Sequence, residues 1–543
     1  MYQYDAFDQE MVESRARQFA EQTRRYLAGE LSEERFRPLR LQNGLYIQRF
    51  APMLRVAIPY GTLSAAQLRE LGRIAEEYDK GYGHFTTRQN IQFNWPQLER
   101  VPQILMDLAQ VQMHAIQTSG NCIRNISSDV YAGVAADECE DPRPWCELLR
   151  QWSTLHPEFA FLPRKFKIAV SAARTDRAAT FVHDIGLQIH HADDQTRFRV
   201  IVGGGLGRTP LLGQVVREAL EPEHLRSYLE AVLRVYNRLG RRDNMYKARI
   251  KILVKETGPK IFAELVEAEF AKLAGGELHI SAEEIAGFKA HFAAPDYAAR
   301  EADAAAEGAT PPAIWLKHNL HPHRRAGWTS VVVSLKPADE PPGDASAAQM
   351  RAVAALSERY GFGEIRVSHE QNLILPDIRE ADLPAVYAEL EAQGLHTPTA
   401  GLVTDMICCP GLDFCSLANA GSIGVARDIQ ALFEDAEAIE AMGELRLNMS
   451  GCMNGCGHHS VGHIGILGVD KKGAEWYQIS LGGSSRNDAA LGDRLGAALS
   501  REDIVPAIGR LLGAYQQQRD KGERFLDTYR RVGLSPFKEA VYG

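Results

Sequence analysis

Half of the eight cysteines in this chain form two spaced pairs in short loops: Cys409 and Cys415 in CCPGLDFC, and Cys452 and Cys456 in SGCMNGCGHH. Thiolates are soft ligands that suit iron–sulfur clusters or zinc, and four of them drawn from two loops complete a tetrahedral set. Structural zinc sites favour two to four residues within a pair, so the five between Cys409 and Cys415 disfavour zinc. Pro410 ends local helix, while Gly451, Gly455 and Gly457 admit close backbone approach and leave amides free to bond sulfur. The plain alternative, buried inert thiols, suits a lone cysteine better than two spaced pairs beside glycines.

A duplicated framework must position these loops. SAAQLRELGRIAEEY at 64–78 aligns without gaps to SAAQMRAVAALSERY at 346–360, and the register persists from Gln89-Asn90 to Gln371-Asn372 and from Pro102 to Pro384. Two copies at so long a period are an internal duplication, not a solenoid. Each copy reads strand, helix, strand, helix, with HFTTRQNIQFNW as a strand, which predicts mixed α/β halves that pack together. Arg88 aligns with Glu370, so one half keeps an anion-facing role.

Further candidates lie between and around the copies. Residues 8–27 form an amphipathic packing helix with Asp8 as N-cap, and Asn43-Gly44 turns into strands that carry Tyr46 and Arg55. Arg55 sits among Met53, Leu54, Val56 and Ala57, where an arginine can reach into a site. SGNCIRNISSDV at 119–130 is turn-rich and places Cys122 and Arg124 near a strand end; Cys139 and Cys146 read as structural. In LPRKFKIAVS, Arg164, Lys165 and Lys167 lead into an apolar strand, and an extended backbone points both lysines to one face. FRVIVGGGLGRTP at 198–210 lacks the G-x-G-x-x-G order and reads as a glycine loop, not a dinucleotide site. Residues 277–292 read as helix, HIGILGV and WYQISLGG as strands, and 501–530 as helices. His458, His459 and His463 read as structural beside the complete thiol set.

Length and composition bound the class. A chain of 543 residues predicts several domains; 45% hydrophobic and 24% charged residues describe an ordinary soluble protein. A net charge of -9 argues against a nucleic-acid binder, and no apolar run, export signal or lipidation motif points to a membrane. Eight cysteines in this pattern are no disulfide framework, so a cytoplasmic location is expected.

Cys-x5-Cys followed by Cys-x-Asn-Gly-Cys resembles the signature of the siroheme and four-iron four-sulfur sulfite/nitrite reductase family, especially bacterial sulfite reductase hemoproteins, and the match runs over nearly the whole chain. The resemblance implies an α/β fold of mixed sheets with a pseudo-twofold duplication. Its expected divisions are an N-terminal helix and extension at 1–50, ferredoxin-like halves at 51–116 and 313–395, a siroheme and substrate domain at 117–292, a linker at 293–312 and an iron–sulfur domain at 396–543. It implies that Cys409, Cys415, Cys452 and Cys456 hold the cluster and that Cys456 is also the axial ligand of siroheme. Thr86, Arg88, Gln92, Arg164 and Asn454 match cofactor contacts, and Arg55, Arg124, Lys165 and Lys167 the set around the bound anion. His84 stands where some members have arginine. The implied reaction reduces sulfite to sulfide by six electrons, with nitrite to ammonia as the alternative. Members that prefer nitrite often carry Asn at the position of Lys167. Electrons come from ferredoxin or a flavoprotein, since neither a flavin nor a nicotinamide site is visible. NGLYIQR and GNCIRN resemble the settings of a tyrosine and a cysteine that are joined covalently in some ferredoxin-dependent members, which singles out Tyr46 and Cys122.

Overall fold

Ser64 and Ser346 start equivalent helices, Ala65–Tyr78 and Ala347–Tyr360, in a computed structural model that describes every residue except Glu434. Each serine hydroxyl accepts the N–H of the glutamine three residues on, and each glutamine accepts the serine N–H in return. This reciprocal box satisfies N–H groups that a helix end leaves free, and losing such a cap costs about 1 kcal/mol. Leu68, Leu71 and Ile74 of the first helix share one core with Met350 and Val353 of the second. Gly72 permits their close approach, because a Cβ there would lie 3.1 Å from the Ala347 carbonyl oxygen.

The two halves exchange strands. Asp344–Ser346 from the second pairs with Tyr82–Phe85 in the first, and Thr62–Ser64 from the first pairs with Glu364–Val367 in the second. Two glutamines lock the seam symmetrically: Gln89 Nε2 donates to the Val367 carbonyl and Gln371 Nε2 to that of Phe85, each at 3.0 Å. Both hold left-handed backbone, with φ of +55° and +64°. HFTTRQNIQFNW is not one strand but two, Tyr82–Phe85 and Ile91–Phe93, joined by a tight turn. The Thr86 hydroxyl makes that turn by accepting the N–H groups of Arg88 and Asn90 at 3.3 Å.

Two further mixed sheets carry a second duplication, which short sequence matches do not expose. Ile168–Ser171, Ile185–Ala192 and Gln195–Val202 recur 279 positions on, from 168 to 447, as Leu447–Ser450, Ile464–Lys471 and Ala474–Leu481. In both sets the first pair is parallel and the second antiparallel. Gly186 and Gly465 mark equivalent contacts, since a Cβ would strike the Thr180 and His459 carbonyls respectively. Ala179 and His458 share a left-handed φ of 55°.

At the N-terminus the helix Ala6–Leu27 is capped by Asp5, not Asp8. Asp8 is buried and accepts a hydrogen bond from Arg150 at 3.0 Å, so a tertiary ion pair has claimed it. The segment 293–312 includes the short helix Tyr297–Glu301, and Tyr297 donates to Asp377 at 2.6 Å. Among the described residues no helix is long and apolar enough to cross a membrane.

Candidate active site

Glycine geometry folds the two cysteine loops onto each other. A Cβ on Gly451 would lie 2.6 Å from the Ala420 carbonyl, and one on Gly457 would overlap that of Met449. All four cysteines are free, and three sulfurs accept N–H donors: Cys409 from Gly451 at 3.1 Å, Cys415 from Leu417 at 3.4 Å, and Cys452 from Asn454 Nδ2 at 3.4 Å. Burial, followed by the nearby Cys456, pushes the Cys409 thiol up to about 12; burial also raises Cys415 and Cys452. Burial disfavours these thiolates and the positive charge of a metal centre would favour them, while the amides are placed to stabilise the thiolates once formed. The donor set therefore fits an iron–sulfur cluster. Among the described residues no three ligand-type side chains converge on a single ion.

A cation cluster forms from four parts of the chain. Phe166 bridges Ile123 in parallel and keeps the 165–167 backbone extended between Lys165 and Lys167. The Arg88 guanidinium, delivered by the turn, donates to Ser127 Oγ at 2.6 Å and the Asn125 carbonyl at 2.7 Å, and contacts His183. Arg124 donates to the carbonyls of Gly120 and Thr118 at 2.7 and 2.9 Å. Arg55 reaches the same Thr118 carbonyl at 3.4 Å and Gln92 Oε1 at 3.1 Å, and lies 5.4 Å from the centre of the Tyr46 ring. Arg164 donates to Asn121 at 3.5 Å.

These charges strain one another. Burial, only partly opposed by Cys456, brings the Lys165 amine down to about 8, with Arg124, Arg249 and Arg164 adding to the depression. Burial and then Lys165 hold Lys167 well below the ordinary lysine range, and burial takes Arg88 down to about 9. Among the described residues neither lysine amine finds a hydrogen-bond acceptor or carboxylate partner. A bound anion would relieve both desolvation and repulsion.

Several contributors escaped sequence reasoning. Asp184, fully buried, accepts from Arg249 Nε at 2.9 Å and Nη2 at 2.7 Å, and from the Lys167 backbone N–H at 2.8 Å. Lys251 donates to the Gly205 and Leu206 carbonyls at 3.1 and 2.9 Å, fixing the glycine loop. That loop lies against the cysteine loop, where a Cβ on Gly207 would sit 3.5 Å from the Asn454 carbonyl. Thr87, not Thr86, touches the cysteine loop, donating to the Cys456 carbonyl at 2.8 Å; the Thr86 hydroxyl is occupied in its own turn. His84 is held in the seam between halves, with Nδ1 2.6 Å from Asp344. Glu370, the counterpart of Arg88, pairs with Arg446 at 3.3 Å. Cys122 Sγ donates to the Ser119 carbonyl at 3.3 Å.

Comparison with known proteins follows the same geometry. The profile of the nitrite and sulphite reductase 4Fe-4S domain matches residues 119–273 and 400–543, and that of the nitrite/sulfite reductase ferredoxin-like half domain matches 49–111 and 340–393. The chain is 29% identical over 488 residues to sulfite reductase [ferredoxin] 2 of Mycolicibacterium paratuberculosis, covering 87% of this chain and 81% of that one. It is 28% identical over 478 residues to the ferredoxin–nitrite reductase of Synechococcus elongatus, with 85% of each covered. The solved structure of the Mycobacterium tuberculosis NirA protein superposes with a TM-score of 0.77 at 27% identity, covering 92% of this chain and 90% of that one. The chain belongs to the nitrite and sulphite reductase family, whose cofactors are siroheme and a four-iron four-sulfur cluster.

Proposed function

We propose that this chain is a sulfite reductase that delivers six electrons to sulfite and releases sulfide and water, with nitrite reduction to ammonia as the competing activity. The observation that carries the reading is the buried pair Lys165 and Lys167, set among Arg55, Arg88 and Arg124 with Asp184 as nearby counter-charge. Such a pocket favours a small anion that carries more than one negative charge.

Cys409, Cys415, Cys452 and Cys456 would hold the cluster, with Cys456 shared as the siroheme ligand. Arg88, Arg164, Gln92, Thr86 and Asn454 would face the macrocycle and its carboxylates; Thr87 joins them through its bond to Cys456. When bound, siroheme supplies the iron and delocalised macrocycle on which the anion is reduced, and the cluster relays electrons one at a time. Arg55 and Arg124, always charged, orient the anion and polarise its oxygens. Lys165 and Lys167 also give protons to the departing oxygens, a task suited to ammonium groups whose pKa burial has brought toward neutrality.

Ferredoxin is the favoured donor, since the sulfite and nitrite reductases to which the chain is similar carry that donor in their names. Electrons would enter beside Cys415, where Leu417 and Phe50 are 66% and 59% exposed. Arg49, next to Phe50, donates to the Leu412 carbonyl at 3.2 Å and ties this edge to the cysteine loop. A cytoplasmic location accompanies the reading, because free thiols persist in a reducing compartment. Turnover of the cofactor-loaded chain with reduced ferredoxin, measuring sulfide from sulfite and ammonia from nitrite, tests the assignment. A higher kcat/KM for sulfite is expected; a higher value for nitrite reverses it.

A further inference from the structure

The second duplication brings a second cavity with it. A cavity of about 310 Å3 includes Glu444, His463, Arg486 and Asp488 in its wall. These stand 279 positions after Lys165, Asp184, Gly207 and Thr209, the same offset that relates the strands. Arg524 and Leu526, also in the wall, begin the helix Phe525–Val532 as Arg249 and Lys251 begin Ile250–Thr257. The cavity is thus the pseudo-twofold counterpart of the cation pocket in the candidate active site.

Its chemistry differs from that of the original. At the same offset Cys452 and Cys456 correspond to Ala173 and Arg177, and Arg177 is held by Asp129 and Asp137, each at 2.8 Å. No thiolate is present there to hold iron. Lys165 has become Glu444 and Lys251 has become Leu526, so the charge needed for a large polyanion is gone.

What remains is a small corner in which both acids are already paired. Glu444 is paired with Arg524 at 3.2 Å, and Asp488 with Arg530 at 2.6 Å and with the Ser484 hydroxyl at 2.6 Å. Arg486 has no carboxylate partner among the described residues, and its guanidinium makes one long bond, 3.4 Å, to the Asp176 carbonyl. His463 is 4% exposed, and its Nδ1 accepts the Arg446 N–H at 3.3 Å, which leaves Nε2–H as a donor. Among the described residues that donor has no acceptor, and the imidazole lines the cavity. The His463 Nε2–H and the Arg486 guanidinium are two donors in one cavity wall with no carboxylate acceptor of their own among the described residues, and an anion is the ligand that both would take.

We propose that this cavity binds one small anion, a carboxylate or an oxyanion, between the His463 Nε2–H and the Arg486 guanidinium. The site is separate from the reacting centre and holds neither siroheme nor a metal. The proposal does not rest on the assignment of sulfite as substrate, since it follows from the cavity wall alone.

Inorganic sulfate is the probe, measured by equilibrium dialysis against the cofactor-loaded chain; sulfate bound at the active-site cations is common to all variants and cancels in the comparison. Arg486→Gln is expected to bind one sulfate fewer per chain than the unmodified protein. Glu444→Gln removes an acid from the wall and is expected to tighten that same site about tenfold, as loss of a partly screened like charge implies. Acetate that displaces this sulfate identifies a carboxylate site, and failure to displace it an oxyanion site. His463→Phe must repeat the loss seen with Arg486→Gln, which keeps the test decisive if one variant melts early. Equal sulfate stoichiometry in the unmodified, Arg486→Gln and His463→Phe chains, or an affinity indifferent to Glu444→Gln, overturns the proposal.

Discussion

Asp184→Asn is the sharpest perturbation of the cation cluster. The carboxylate is fully buried and accepts four hydrogen bonds shorter than 3.0 Å, three from the Arg249 guanidinium and one from the Lys167 N–H. Asparagine keeps the volume but loses the charge, and one face of its amide becomes a donor aimed at other donors. Removing one partner of a buried ion pair typically costs about 3–5 kcal/mol, because the remaining charge stays buried and unpaired. The loss should be larger here than for an isolated pair, since Asp184 also opposes the depression of Lys167 and Lys251. Urea unfolding of the chain prepared without siroheme would measure it, followed by tryptophan fluorescence. The cost should shrink as pH rises from 7 to 8.5, because the lysines lose protons and the repulsion that Asp184 relieves falls away. A cost below about 1 kcal/mol, or one that does not change over this pH range, would falsify the view that Asp184 is the counter-charge of the cluster.

Other consequences are open to direct measurement. Lys167→Asn should depress sulfite turnover more than nitrite turnover, because a neutral amide polarises and protonates the more highly charged anion less well; equal losses contradict the sulfite assignment. The siroheme-free chain should gain stability between pH 7 and 8.5. Lys251 and Lys165 have native pKa values lowered to about 7 and about 8, so the unfolded state binds more protons in this window and raising the pH favours the fold. Linkage puts the gain at about 2 kcal/mol, and a flat or falling profile in urea unfolding would contradict it. Leu417→Glu should lower turnover with ferredoxin at least severalfold while leaving turnover with a small dye reductant unchanged; parallel losses would move the donor's entry point elsewhere.

Legibility in the sequence followed the range of the signal. The four cysteines announce themselves because their ligand type, spacing and flanking glycines lie within a few residues of one another. The first duplication is visible because its capping boxes and paired glutamines preserve side-chain identity as well as fold. The second preserves mainly backbone requirements, such as Gly186 and Gly465 or the left-handed residues Ala179 and His458, and these leave few matching letters. Asp184 and Arg249 lie 65 positions apart with no periodic pattern between them, so only the fold reveals their ion pair. The turn 86–90 was legible as a site but not in its division of labour, because nothing in two adjacent threonines says which hydroxyl makes the turn and which reaches Cys456.

Charge substitution, not a change of fold, separates the two halves. On one side Lys165 and Arg88 both repel Lys167 in a buried pocket. At the equivalent positions on the other side stand Glu370, Glu444 and Arg446, and Glu370 and Arg446 form an ion pair. The backbone that supports each set has the same strand pairing and equivalent glycine contacts, so the scaffold does not require the repulsion. The unpaired cations are therefore a local cost borne by the fold at one of two equivalent places. The anionic groups proposed for the site would relieve it.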